Sequence, residues 1–142
     1  MADLVITPGN VQRYGNSGVY RAVQYGEAIN AGEVVYQSAT DQKYYKADAT
    51  DATAPASTTQ TAIAVSSGTA EQQGVVARQS AVIDLGAGVM TAGSVYVISS
   101  ANAGGIAPEQ DLATAAYLTI LGYAETDDRL VLSINATGIA RA

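Results

Sequence analysis

Two stretches of this chain carry the same short device at a fixed offset. Ala28-Ile29-Asn30-Ala31-Gly32-Glu33-Val34-Val35-Tyr36 aligns with Val89-Met90-Thr91-Ala92-Gly93-Ser94-Val95-Tyr96-Val97, 61 positions later (89 minus 28). Each copy is an apolar pair, a polar residue, an Ala-Gly turn, a polar residue and a strand-like run of Val and Tyr. Self-similarity at a fixed offset means that the fold is assembled from two similar supersecondary units. In each unit the glycine supplies the positive φ that a tight turn needs. The closing parts echo as well, since Gly74-Val75-Val76-Ala77-Arg78 matches Arg129-Leu130-Val131-Leu132-Ser133 in position and pattern. The units are expected over about 26–86 and 87–142, sharing one core.

Within these units, short β-branched and aromatic runs recur about every eight to twelve residues with turn signals between them, the spacing of an all-β sandwich or barrel. The expected strands are Val19–Tyr25, Val34–Gln37, Lys43–Ala47, Thr61–Val65, Gly74–Arg78, Ser80–Leu85, Ser94–Ile98, Tyr117–Ala124 and Arg129–Asn135, with Ile106–Glu109 starting a short strand or a turn. The second and third read as a hairpin. Only Glu109–Ala116 looks helical, for a turn or two. Residues 48–60 are small and polar with one proline, and read as an exposed loop or in part a short helix.

Residues 1–18 differ from the rest. Leu4-Val5-Ile6 suits a short strand, while Pro8-Gly9-Asn10 and Gly15-Asn16-Ser17-Gly18 are turn chemistry. With few apolar anchors, this segment reads as an extended N-terminal arm that orders on a partner, ahead of a single β domain over 19–142.

Charged residues are 14% of the chain, against roughly 25% in ordinary soluble proteins. Ala, Gly, Ser and Thr replace them, giving a small, neutral surface that packs against another protein at little entropic cost. The net charge is −6, and the seven Lys and Arg are scattered. Nucleic-acid binding needs a clustered basic face, so it is not expected. Anionic membrane surfaces are disfavoured for the same reason. The first residues lack a basic segment followed by a long apolar core, and no run reaches the roughly 18 apolar residues of a membrane span, so synthesis in the cytoplasm is expected.

The chain has no histidine, cysteine or tryptophan. That removes the usual general base near neutral pH, the thiol nucleophile and the commonest metal ligands. Acid-rich Glu125-Thr126-Asp127-Asp128 and Glu109-Gln110-Asp111 lack the alternation and central glycine of a calcium loop. Gly86-Ala87-Gly88 lacks the third glycine and the helix of a phosphate cradle. No cofactor or metal is expected. A small carboxylate-dependent hydrolase would draw on Asp84, Glu109, Asp111, Glu125, Asp127 and Asp128, with Asp127 or Glu109 the residues to mutate, and it would lack the Trp and Phe platforms that sugar sites favour.

Tyrosine supplies all nine aromatic residues. It buries area while keeping a hydroxyl for the wet edge, which suits interfaces. Tyr14, Tyr20 and Tyr25, with Leu4, Val5 and Ile6, are the candidate partner contacts, Tyr20 and Tyr25 having a core-capping role as the alternative. Ala31, Gly32, Glu33 and Ala92, Gly93, Ser94 are the structural turn residues of the repeat.

The ordered series Ala-Ile-x-Ala-Gly-Glu-Val-Val-Tyr (28–36), Ala-Ile-Ala-Val (62–65), Gly-Val-Val-Ala-Arg (74–78), Ala-Gly-Ser-Val-Tyr-Val (92–97) and Ile-Leu-Gly-Tyr-Ala (120–124) resembles the capsid decoration, or cement, proteins of tailed bacteriophages. The resemblance covers roughly residues 19–135. Ser94 stands where that family usually has an acid, so the hydrogen bonding of the second turn is expected to differ. The resemblance implies a compact β-barrel or β-tulip-like homotrimer on the outer surface of the virion capsid. There it would bridge neighbouring major capsid proteins and stabilise the DNA-filled head, without catalysis. A head-fibre or tail-associated module that recognises a host surface is the alternative.

Overall fold

The computed structural model of the chain describes residues 3–50 and 61–140. Its strands are β1 (Gln12–Arg13), β2 (Tyr20–Gln24), β3 (Val34–Gln37), β4 (Tyr44–Lys46), β5 (Thr61–Ala64), β6 (Gln73–Ala77), β7 (Val82–Asp84), β8 (Val95–Ile98), β9 (Ile106–Pro108), β10 (Tyr117–Ala124) and β11 (Arg129–Ala140). Helical structure among the described residues is limited to 3-10 turns at Pro8–Asn10 and Glu109–Asp111. The fold is all-β, as the strand spacing implies.

The strands form two antiparallel sheets, ordered β2-β6-β5-β3-β4 and β1-β7-β11-β10-β8-β9. With β1 set aside, the two orders are the same: first, fifth, fourth, second and third strand of each unit. Registers match too. Val34 faces Ile63 and Ile63 faces Ala77 in one sheet; Val95 faces Tyr123 and Tyr123 faces Val131 in the other. Each repeat of the sequence is therefore one sheet of a sandwich. The units begin at β2 and β7, somewhat earlier than the echo suggests, because the first strand of each lies ahead of the conspicuous turn and its sequence is not repeated.

The echoed turns are bonded alike. Glu33 N–H donates to the Asn30 carbonyl and Ser94 N–H to that of Thr91, both at 3.1 Å. Gly32 (φ +94°) and Gly93 (φ +85°) occupy the left-handed position that favours glycine. Gly32 N–H donates to Ala64 and Gly93 N–H to Ala124, at 2.7 and 2.8 Å. Ala64 and Ala124 return their N–H groups to Glu33 and Ser94, each at 2.9 Å.

The main core lies between the sheets. It joins Val34, Ile63 and Ala77 from the first to Ile83, Leu85, Tyr96, Ile98, Leu121, Leu130 and Leu132 from the second. A second cluster (Val23, Tyr25, Ile29, Val35, Tyr44, Ala62, Ala64 and Val76) lies on the opposite face of the first sheet. That sheet curls over it until Tyr25 and Tyr44 meet in an isolated parallel bridge. That bridge joins the two edge strands, β2 and β4, with the Gly26 N–H donating to the Tyr44 carbonyl at 2.8 Å, but one bridge does not close a ladder, so the expected barrel or tulip is instead a sandwich with one curled layer.

The N-terminal segment lies along the domain. Leu4 N–H donates to the Ile106 carbonyl at 2.8 Å, Leu4 and Ile6 pack on the main core, Val11 is buried, and β1 pairs with β7. Three apolar side chains are enough to hold it, so from Asp3 onward it is a strap on the core and not a free arm; Leu4–Ile6 form no strand. Most of the 48–60 loop falls outside the described residues. Its start is tucked in, with Ala49 buried and its carbonyl accepting the N–H of Tyr117 at 2.8 Å.

Candidate interaction surface

Cross-strand neighbours project to the same face of a sheet. Val95 opposite Tyr123, Tyr123 opposite Val131 and Val131 opposite Val82 thus make one row across β8, β10, β11 and β7. Val95 is 40% exposed and Tyr123 47%; Val131 and Val82 are half-buried. Tyr14 extends the row beside Val82, to whose carbonyl it donates its N–H at 2.9 Å. Its ring, on a side chain 47% exposed, is covered by the Arg129 guanidinium at 4.5 Å. Arg129 also lies 3.9 Å from both Glu125 and Asp128, a loose surface network worth little to stability.

The duplication gives this row its meaning. The equivalent row in the first sheet is Val34, Ile63, Ala77 and Tyr20. There the first three are fully buried and Tyr20 packs on the main core. Three of these positions are fully buried in the first repeat and are half-buried or exposed in the second, yet the second row remains Val, Tyr, Val and Val. The chain's own core does not require apolar side chains on the bare face. A contiguous exposed apolar row of this kind marks an interaction surface.

The six contact candidates do not form one surface. Tyr14 stands in the row. Val5 is exposed on the strap, between Leu4 and Ile6, which turn inward. The half-buried Tyr20 hydroxyl donates to the Val82 carbonyl at 3.3 Å and its ring carries Arg13 at 4.2 Å. Burial raises the Tyr20 pKa, against the pull of the Arg13 charge. Tyr25 is fully buried and its hydroxyl donates to the Ser66 carbonyl at 2.8 Å. Burial raises its pKa above the ordinary range, opposed by that bond. Tyr25 thus takes the core-capping role. Val82, Val95, Tyr123 and Val131 escaped the sequence reading. Their signal is that β8 is apolar at every position, so both of its faces seek cover.

Ser94 does change the turn, at one atom. Asn30 N–H donates to the Glu33 carboxylate at 2.6 Å. The equivalent Thr91 N–H donates to the Tyr96 hydroxyl at 2.8 Å. A buried tyrosine therefore supplies the acceptor that the missing acid would have provided.

Polar groups elsewhere are engaged locally. The Asp3 carboxylate accepts Ser99 Oγ at 2.7 Å and Asn102 Nδ2 at 2.9 Å, pinning the strap to the 99–105 loop. That loop in turn sits between β3 and β4, where Val34 N–H donates to Gly104 and Gly104 N–H to Ala47. Among the described residues no three acidic side chains converge as a metal site would require. Asp127 and Glu109 are exposed, on a turn and a 3-10 turn. No protein-family model matches the chain, and no curated protein or solved structure matches it either.

Proposed function

We propose that this chain is a structural protein of a phage virion, binding the outer surface of the capsid and cementing neighbouring major capsid proteins. The observation that carries the reading is the bare apolar row Val95–Tyr123–Val131–Val82, extended by Tyr14. It fits a protein that works by adhesion. The scarcity of long charged side chains supports it, since a small, neutral surface loses little entropy on docking. The all-β fold and its internal duplication agree with the family resemblance, which supplies the identity of the partner.

The deciding experiment is the copy number of the chain in purified virions, measured against the major capsid protein. A ratio near one to one is expected. A handful of copies would replace the cement reading with a head-fibre or tail module, and absence from virions would end it. Tyr123→Asp then tests the surface itself: the exposed ring leaves without loss of fold, and occupancy on heads falls.

A further inference from the structure

The two sheets meet through unlike faces. In the first, Val34, Ile63 and Ala77 lie on one side, the front, and Val35, Ala64 and Val76 on the other, the back. The repeat places Val95, Tyr123 and Val131 on the front of the second sheet, and Tyr96, Ala124 and Leu130 on its back. The main core takes the front residues of the first sheet and the back residues of the second. The intrachain packing is therefore front to back. Such a contact is heterologous: it leaves one front and one back over, and a stack built this way can continue.

The two leftover faces differ. The back of the first sheet is closed. Val35, Ala62, Ala64 and Val76 are fully buried there, because the sheet curls until Tyr25 bridges Tyr44 and Gly26 N–H reaches the Tyr44 carbonyl. A Cβ on Gly74 would run into the Tyr25 ring, so that ring lies hard against β6. The front of the second sheet is covered at one end, where Val97 is buried and the Glu109–Asp111 turn lies against β8. The row from Val95 to Val82 stays open. The stack is thus capped at one end and unfinished at the other. A second copy cannot finish it front to back. Both of its backs are already covered, one by the curl and one by its own first sheet.

The chain also shows what a front accepts. Ile83, Tyr96, Ala124 and Leu130, which cover the first front, are uncharged. The open front has a charged border as well. Two residues beyond Tyr123 begins the Glu125–Asp128 turn, with three acids against the one base Arg129. Glu125 and Asp127 are exposed.

We infer that the open front takes a third β layer from a different protein: the apolar side of a sheet, edged by a lysine or arginine beside the Glu125–Asp128 turn. The layer would pack about 10 Å away, with strands within about 30° of those beneath. Opposite charges at the border fix its register. The inference rests on the capsid reading for its source, the major capsid protein, and on the front-to-back stacking for its form.

Tyr123→p-benzoylphenylalanine places a photo-cross-linker on the open front of the full chain. The chain is added to heads purified from its virions and stripped of it. Irradiation should join residue 123 to alternate residues of one strand of the major capsid protein. Irradiated without heads, it should give no cross-linked dimer. Glu125→Lys combined with Asp127→Lys should weaken head binding at least about tenfold, and binding of the unmutated chain should weaken as salt rises. Cross-links to a second copy, cross-links to a helix or loop of the capsid protein, or unchanged affinity of the lysine variant would each overturn the inference. So would a chain that occupies heads without cross-linking, and that result would leave the capsid reading standing. A chain that does not bind heads at all would end both.

Discussion

The hydroxyl of Tyr96 accepts the backbone N–H of Thr91 at 2.8 Å, five residues back along the chain. It replaces, in the second repeat, the carboxylate that Glu33 offers to Asn30 in the first. The two acceptors sit in different surroundings: Tyr96 is 2% exposed, whereas the Glu33 bond lies at the surface. Loss of a partner costs most where water cannot replace it. Tyr96→Phe should therefore destabilise by about 1–2 kcal/mol, and Glu33→Ala by about 0.5 kcal/mol. Urea unfolding of the two variants checks the ranking, and the reverse order would show that the turns are not equivalent.

Gly122 tests a close approach of β10 to β11. A Cβ at this position would run into the Val131 carbonyl oxygen, which is backbone and cannot swing aside. The register shifts there, between Ile120 and Gly122, on both neighbouring strands. Gly122→Ala should cost on the order of 3 kcal/mol, as overpacked core positions do. Gly9→Ala, facing open space, should change stability by less than about 0.5 kcal/mol. Thermal unfolding of the pair separates them.

The strap carries a prediction that the sequence alone reverses. A free arm could be removed without harm to the fold. Here Ile6 packs on the core, and a Cβ on Gly32 would meet its side chain. Ile6→Ala should destabilise by about 1–2 kcal/mol, toward the low end for a half-buried site. Deleting residues 2–13 should cost more, since Val11 and the pairing of β1 with β7 go with it. A truncated chain as stable in urea as the full one would return the segment to the status of an arm.

These residues also show why parts of the fold were legible and parts were not. The strands from Tyr20 to Ile134 were readable because runs such as Val34–Tyr36 and Leu130–Leu132 combine β-branched and apolar residues and follow turn-forming residues, Ala31-Gly32 in the first case and Glu125–Asp128 in the second. The repeat was readable at Gly32 and Gly93 because a left-handed position leaves few choices of residue. The strap was not, because Leu4, Ile6 and Val11 are spaced irregularly and their cover comes from Ile106 and the two sheets, far along the chain. The bare row was hidden for a related reason. Val34 and Val95 look alike in sequence, and only the stacking of one sheet on the other decides which is covered.

Asp41 and Tyr45 form a surface pair whose titration follows from one bond. The Tyr45 hydroxyl donates to Asp41 Oδ2, and the Lys43 N–H donates to Asp41 Oδ1 at 3.0 Å. The tyrosine bond, then the Lys43 N–H, hold the Asp41 carboxyl below its ordinary value of 3.8. The same carboxylate, as acceptor first and as a nearby negative charge, helps push Tyr45 from 10.0 up to about 12. A lowered acid stabilises the fold above its unfolded value, and that contribution disappears as pH falls through the folded one. A raised phenol stabilises in full below about pH 10, and that contribution is lost between about 10 and 12. Solvent screens both groups, so the effect on global stability is small and the phenol itself is the better reporter. Asp41→Asn should bring one of the nine tyrosines back toward an ordinary midpoint. At about pH 11 the variant should then absorb more strongly in the tyrosinate band than the unmutated chain. Superimposed titration curves would mean that the Asp41–Tyr45 bond does not persist in solution.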